Sequence, residues 1–187
     1  MSDAFVSMAW RVGVVLWTAF IATGFCLLAR YEATPGAVPG GVATWPAATR
    51  LSQFENSLVM FVHPECSCTR ASITELCRML AKVQRPPAVQ VVMVGTGDGL
   101  RHAVASVPEV IVVEDPAGSE ARRFGATTSG HLCLFVEGRA RFHGGITKSR
   151  GHEGCSVGAV AVVAHLGGRS ALCAAPVFGC PLFGGTV

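Results

Sequence analysis

Eighteen consecutive uncharged residues, Val12 to Ala29, read VGVVLWTAFIATGFCLLA, with Arg11 before them and Arg30 after. As a helix rising about 1.5 Å per residue, this run reaches ~27 Å, close to the thickness of a hydrocarbon core. Trp10 and Tyr31 stand where interfacial aromatics stand at the ends of a span. The apolarity runs all the way round, which argues against an amphipathic core helix. A cleaved signal peptide is the main rival. The run exceeds a usual h-region, however, and Arg30-Tyr31-Glu32 spoils a small-residue cleavage site. Phe25 stands before Cys26 where a lipoprotein signal needs a small residue. The expectation is an uncleaved membrane anchor in residues 1–30, with residues 12–29 in the lipid. The charges beside it do not fix its orientation.

The rest of the chain divides in two. Residues 31–49, YEATPGAVPGGVATWPAAT, hold prolines and glycine pairs without a hydrophobic period and read as a tether. Residues 50–187 are enough for one domain with a core and too few for two. Net charge is only +3, and no Lys/Arg run interleaves with aromatics, so a nucleic-acid partner is not expected. Eight cysteines are too few for a disulfide-built scaffold and too many to be incidental. Export of the domain would put them where disulfides persist. The expected location is therefore outside the cytoplasm, periplasmic in a bacterium.

Within the domain, apolar runs at 57–62, 89–94 and 110–113 read as strands, followed by a hairpin of 132–136 and 139–143. Ile73, Leu76, Cys77, Leu80 and Val83 repeat at helical spacing after Cys66, and Arg85-Pro86-Pro87 ends that element. Residues 99–106 suit a short helix. Asp115-Pro116 reads as a helix start, with the helix running to about Phe124 and Gly125 stopping it. A last helix is expected over 155–168, with Val160, Val163 and Leu166 inward; the tail from Ser170 shows no period. The order β-α-β-α-β-α-β-β-α predicts an α/β fold, a mixed sheet flanked by helices.

The chemistry concentrates in HPECSCTR, residues 63–70, between the first buried strand and the helix after it. In α/β proteins, sites form at the carboxyl end of a strand and the amino end of a helix. Unpaired N–H groups and the helix dipole there stabilise thiolate over thiol. Cys66 is the expected nucleophile, and Cys68 is near enough to resolve a mixed disulfide or be bridged to it. His63 is placed to stabilise the thiolate, or else is a solvated strand-end residue. The C-x-C spacing and the lack of a second cysteine pair nearby speak against structural zinc. Arg150-Gly151-His152-Glu153-Gly154 reads either as an acid/base pair or as turn chemistry before the last helix. Cys180, between turn formers in the tail, is a possible resolving cysteine or a partner for Cys173. Cys77 and Cys133 fall at apolar-face positions and read as packing residues.

This strand, turn, cysteine and helix unit resembles the thioredoxin-like superfamily. The Asp115-Pro116-Ala117-Gly118 turn followed by Phe124-Gly125-Ala126 looks like its TlpA and redoxin branches. HPECSCTRAS, GGITKSRGHEG at 144–154 and VFGCPL at 177–182 are most similar to membrane-anchored RedB-type proteins. The resemblance implies a membrane-anchored thiol–disulfide oxidoreductase without a cofactor, acting on protein or small thiol and disulfide substrates. It places His131 beside the cysteines. Two departures stand out. The second cysteine of the usual C-x-x-C is Thr69 here, and the shorter C-x-C ring suggests a more oxidising bridge. Gly130 stands in place of the cis-proline that forms the peptide-substrate platform. A second implication is a copper-binding assembly protein of the Sco type, with Cys66, Cys68 and His152 (or His131) as ligands.

Overall fold

The computed structural model describes residues 3–37 and 40–184. Two units are distinct: one ends at Thr34 and the other begins at Pro35. The first is a single helix, α1 (Asp3–Ala33). Its stretch Trp10–Ala33 is 24 residues, long and apolar enough to cross a membrane, and buries none of its apolar surface. The helix passes beyond Arg30 into the start of the expected tether.

The second unit is a six-stranded mixed sheet in the order β3-β2-β1-β4-β5-β6. Its strands are β1 (Asn56–Val62), β2 (Ala88–Val94), β3 (Ile111–Asp115), β4 (His131–Val136), β5 (Arg139–Gly144) and β6 (Ala174–Ala175). β1, β2 and β3 run parallel, β4 is antiparallel to β1, and β5 is antiparallel to β4. The helices are α2 (Thr69–Leu80), α3 (Arg101–Val104), α4 (Ser119–Arg123) and α5 (Val157–Leu166). β1 is central, and it is apolar from Leu58 to Val62 because both of its faces are covered. Leu58, Met60 and Val62 pack with Ile73, Leu76 and Val162, the side of α2 and α5. Val59 and Phe61 pack on the opposite face with Ala121 and Phe124, the side of α4.

Several elements depart from the sequence-based expectation. The segment expected as a loose tether is largely fixed to the domain. Gly36 N–H donates to Val177 O at 2.8 Å, Trp45 N–H to Gly138 O at 2.8 Å, and Ala140 N–H to Ala43 O at 2.9 Å. Trp45 stands edge-on to Phe124 and Phe135, with ring centroids 5.3 and 5.1 Å away. That burial of an aromatic is what tertiary packing adds to a composition-based linker. Asp115 does cap the following helix, but from a distance. Its carboxylate accepts the N–H groups of Ser119, Glu120 and Ala121 at 2.8 to 3.1 Å, while Gly118 takes the left-handed cap position. In α5, Val163 and Leu166 pack against the core as expected, but Val160 points outward, and Ala161 and Val162 are the fully buried residues. The tail is not structureless: β6 adds to the sheet edge beside β5.

Candidate active site

β1 ends at Val62, and the chain then turns sharply enough for Cys66 N–H to donate to His63 O at 3.0 Å. A second turn closes when Thr69 N–H donates to Cys66 O at 3.1 Å, and α2 begins there. Cys68 is therefore the residue at the helix cap, with helical backbone angles, and Cys66 sits in the turn before it. The expected helix start at Cys66 is displaced by three residues.

The tail completes the site. Residues 180–182 run antiparallel to 127–129: Ser129 N–H donates to Cys180 O at 2.8 Å, and Leu182 N–H to Thr127 O at 2.9 Å. Gly179 is needed for this approach, since a Cβ there would collide with Ser129 O. Gly130 has φ of +89°, its N–H donates to Phe61 O at 2.8 Å, and an added Cβ would stand 3.0 Å from Ser72 Oγ. Where the resemblance leaves an empty platform, the chain lays down its own tail.

This pairing brings Cys180 to the cysteines of the turn. The sulfurs of Cys66, Cys68 and Cys180 all lie within 4.8 Å of one another. Cys180 N–H donates to Cys66 Sγ at 3.4 Å. Cys66 is fully buried, whereas Cys68 and Cys180 are half-buried. All three are thiols or thiolates here, with no disulfide formed.

Electrostatics divides them. Burial works against ionisation of Cys66, but hydrogen bonds from the Cys180 thiol, the Thr69 hydroxyl and the N–H groups of Cys180 and Thr69 outweigh it, so its pKa falls below the ordinary thiol value. Burial pushes Cys68 up, and the neighbouring Cys66 charge adds to this. Burial pushes Cys180 up to about 12, aided by its donation to Cys66. Cys66 is thus the most acidic of the three, with the Cys180 thiol donating to it.

Ser129 and Thr69 are the functional residues that sequence reasoning missed. Ser129 Oγ accepts His63 N–H at 2.7 Å and lies 2.6 Å from Thr69 Oγ1. Because the Thr69 hydroxyl donates to Cys66, the proton shared between the two hydroxyls is the one Ser129 gives to Thr69. The available signal was a polar run, Thr127-Thr128-Ser129, directly before a buried strand.

The histidines lie around the site without joining the three-sulfur group among the described residues. His131 is fully buried, but strand alternation puts it on the face of Cys133 and Phe135, opposite α2. Its two ring nitrogens have no hydrogen-bond partner, and the His143 ring lies 6.2 Å away. Burial, with some repulsion from His143, lowers its pKa to about 4. It is not a member of the three-sulfur group. Its position before the strand had suggested the site, but a strand side chain follows the pleat. His63 packs over Gly95, and its Nδ1 accepts Glu65 N–H at 3.2 Å. His152 Nδ1 lies 2.7 Å from Arg150 O, and Glu153 pairs with Arg78 at 2.6 Å. Among the described residues, no histidine joins the three-sulfur group. The copper ligands expected from the resemblance, Cys66 and Cys68 with His152, are thus not gathered within 4.8 Å among the described residues. Cys133 and Cys77 are packing residues, and burial pushes Cys133 up to about 12.

No protein-family model matches this chain, and no curated protein does. Solved structures do. A conserved protein of Geobacillus kaustophilus is 16% identical over 81% of this chain and 89% of that one, with a TM-score of 0.57. A hypothetical protein of Sinorhizobium meliloti 1021 is 20% identical over 80% and 93%, also with a TM-score of 0.57. A secreted disulfide oxidoreductase of Mycobacterium tuberculosis is 10% identical over 61% and 81%, with a TM-score of 0.44. The architecture is an α/β mixed sheet flanked by helices, preceded by an apolar helix that is a candidate membrane span.

Proposed function

We propose that this chain is a membrane-anchored thiol–disulfide oxidoreductase working through Cys66, Cys68 and Cys180. One observation carries the reading: a buried sulfur at the end of β1 accepts a backbone N–H from the tail, with two further sulfurs within 4.8 Å. The resemblance to RedB-type proteins and the α1 helix support anchoring, with the domain in an oxidising, extracytoplasmic compartment.

The burial pattern supports a division of roles. Cys66 is inaccessible to a bulky substrate, so Cys68 meets it. In the oxidised chain, Cys66 and Cys68 share a disulfide. A substrate thiolate attacks the Cys68 sulfur, the S–S bond breaks, and Cys66 leaves as thiolate. A low-pKa leaving group departs fastest. The second thiolate of the substrate then attacks its own bound sulfur and releases Cys68, which takes a proton. Two electrons pass from the substrate dithiol to the chain, and the steps run backwards for reduction. Cys180 stabilises the departing thiolate and is the third sulfur available to resolve the pair. Protein or small dithiols are the substrate class. No cofactor takes part in these steps.

The test is exchange between the oxidised full chain in detergent and a fluorescent dithiol peptide, compared with Cys66→Ser. Wild-type chain is expected to oxidise the peptide and Cys66→Ser to fall to background. An inert wild-type chain, or a fully active Cys66→Ser, overturns the reading.

A further inference from the structure

We infer that the reduced domain holds one monovalent copper ion between Cys66, Cys68 and Cys180, a site in which the tail supplies the third ligand. This goes beyond the exchange reaction and stands apart from it. Three sulfurs converge from two distant segments, 63–69 and 177–182, and all lie within 4.8 Å of one another. With metal–sulfur bonds of about 2.3 Å, a trigonal set requires sulfurs about 4 Å apart. The chain therefore needs only a small contraction.

The donor set selects the ion. Thiolates are soft ligands and favour monovalent copper among the common biological ions. Zinc takes four ligands in a closed structural site. Among the described residues, no fourth histidine, cysteine or carboxylate atom joins the group. Cys66 is buried and the other two are half-buried, so an ion there would be recessed from the surface. Cationic and dipolar groups offset the excess negative charge of three thiolates around a single positive ion. Cys180 N–H points at Cys66 Sγ, and Arg150 binds the carbonyl of Gly179, next to Cys180. A disulfide between any two of the three removes two thiolates, so only the reduced chain offers this site.

The test uses the full chain in detergent, reduced and kept anaerobic, titrated with monovalent copper against a chromophoric copper chelator. One ion per chain is expected, with X-ray absorption showing three sulfur neighbours. Cys180→Ser is expected to weaken binding roughly a hundredfold and lower the sulfur count to two. His152→Ala is expected to change neither. Oxidising the wild-type chain provides a check free of mutation, and binding is expected to vanish. Copper held as tightly by Cys180→Ser, nitrogen in the metal shell, or zinc displacing copper at equal concentration would each overturn the inference. An exchange-active chain that fails to bind copper refutes this site alone. A copper-binding chain without exchange refutes only the oxidoreductase reading.

Discussion

The turn at residues 63–69 and the tail at 177–182 deliver sulfur to the same point by different means. The turn is built from local chemistry: a buried strand ends, two short backbone turns close, and a helix starts. The tail has no period and no helix; it is fixed by distant partners, through its pairing with 127–129 and the bonds of Gly36 to Val177 O and Arg150 to Gly179 O. Cys66 depends on both. Thr69 lies on its own side, while Cys180 reaches it from 114 residues away. The comparison teaches that the acidity of a strand-end cysteine here is not a property of the helix start alone. It is made when a remote segment docks.

The sharpest way to break the comparison is to remove one cysteine from each region. Cys68→Ser is expected to slow exchange roughly a thousandfold, since it deletes the substrate-facing sulfur, and Cys180→Ser only about tenfold. Stopped-flow fluorescence with the dithiol peptide measures both. Equal losses would erase the division of roles between turn and tail.

A second experiment asks whether the far face of the sheet belongs to the site. His131 is neutral in the fold, with a pKa near 4 against an ordinary 6.5. The unfolded chain takes up its proton as pH falls below 6.5, so the contribution is complete above that value and drains as pH falls to about 4. Across this window His131 accounts for about 3 kcal/mol of lost stability. In urea titrations at a series of pH values, His131→Leu is expected to remove that part of the slope. Exchange at pH 7 should be unchanged, and a large loss of exchange would tie His131 to the cysteines after all.

Gly179→Val tests the tail without touching a sulfur. The added side chain meets Ser129 O and pushes the tail away, withdrawing the N–H and thiol donors of Cys180 together. The apparent pKa of Cys66 should rise, and exchange should slow by about thirtyfold to a hundredfold. Thiolate absorbance against pH follows the first effect. An unmoved titration would mean that the turn alone sets the acidity. Thr69→Val is the smallest of these changes. It removes one hydroxyl donor and should slow exchange severalfold, with the Cys66 titration moved upward. A shift larger than that of Gly179→Val would reverse the ranking of tail over turn.

The sequence by itself determined the apolar run that forms α1, the buried strands, the α/β order and the placing of HPECSCTR at a strand end. Those features rest on composition and on periods of 2 and 3.6, which neighbouring residues carry among themselves. Only the tertiary structure decided which way His131 faces, that residues 36–37 and 40–45 lie against the domain, and that Cys180 joins Cys66 and Cys68. The burial of Cys66 under the tail belongs to this second group. The reason is physical: an irregular segment is held by backbone hydrogen bonds to a distant partner, and its own residues carry no record of where that partner lies.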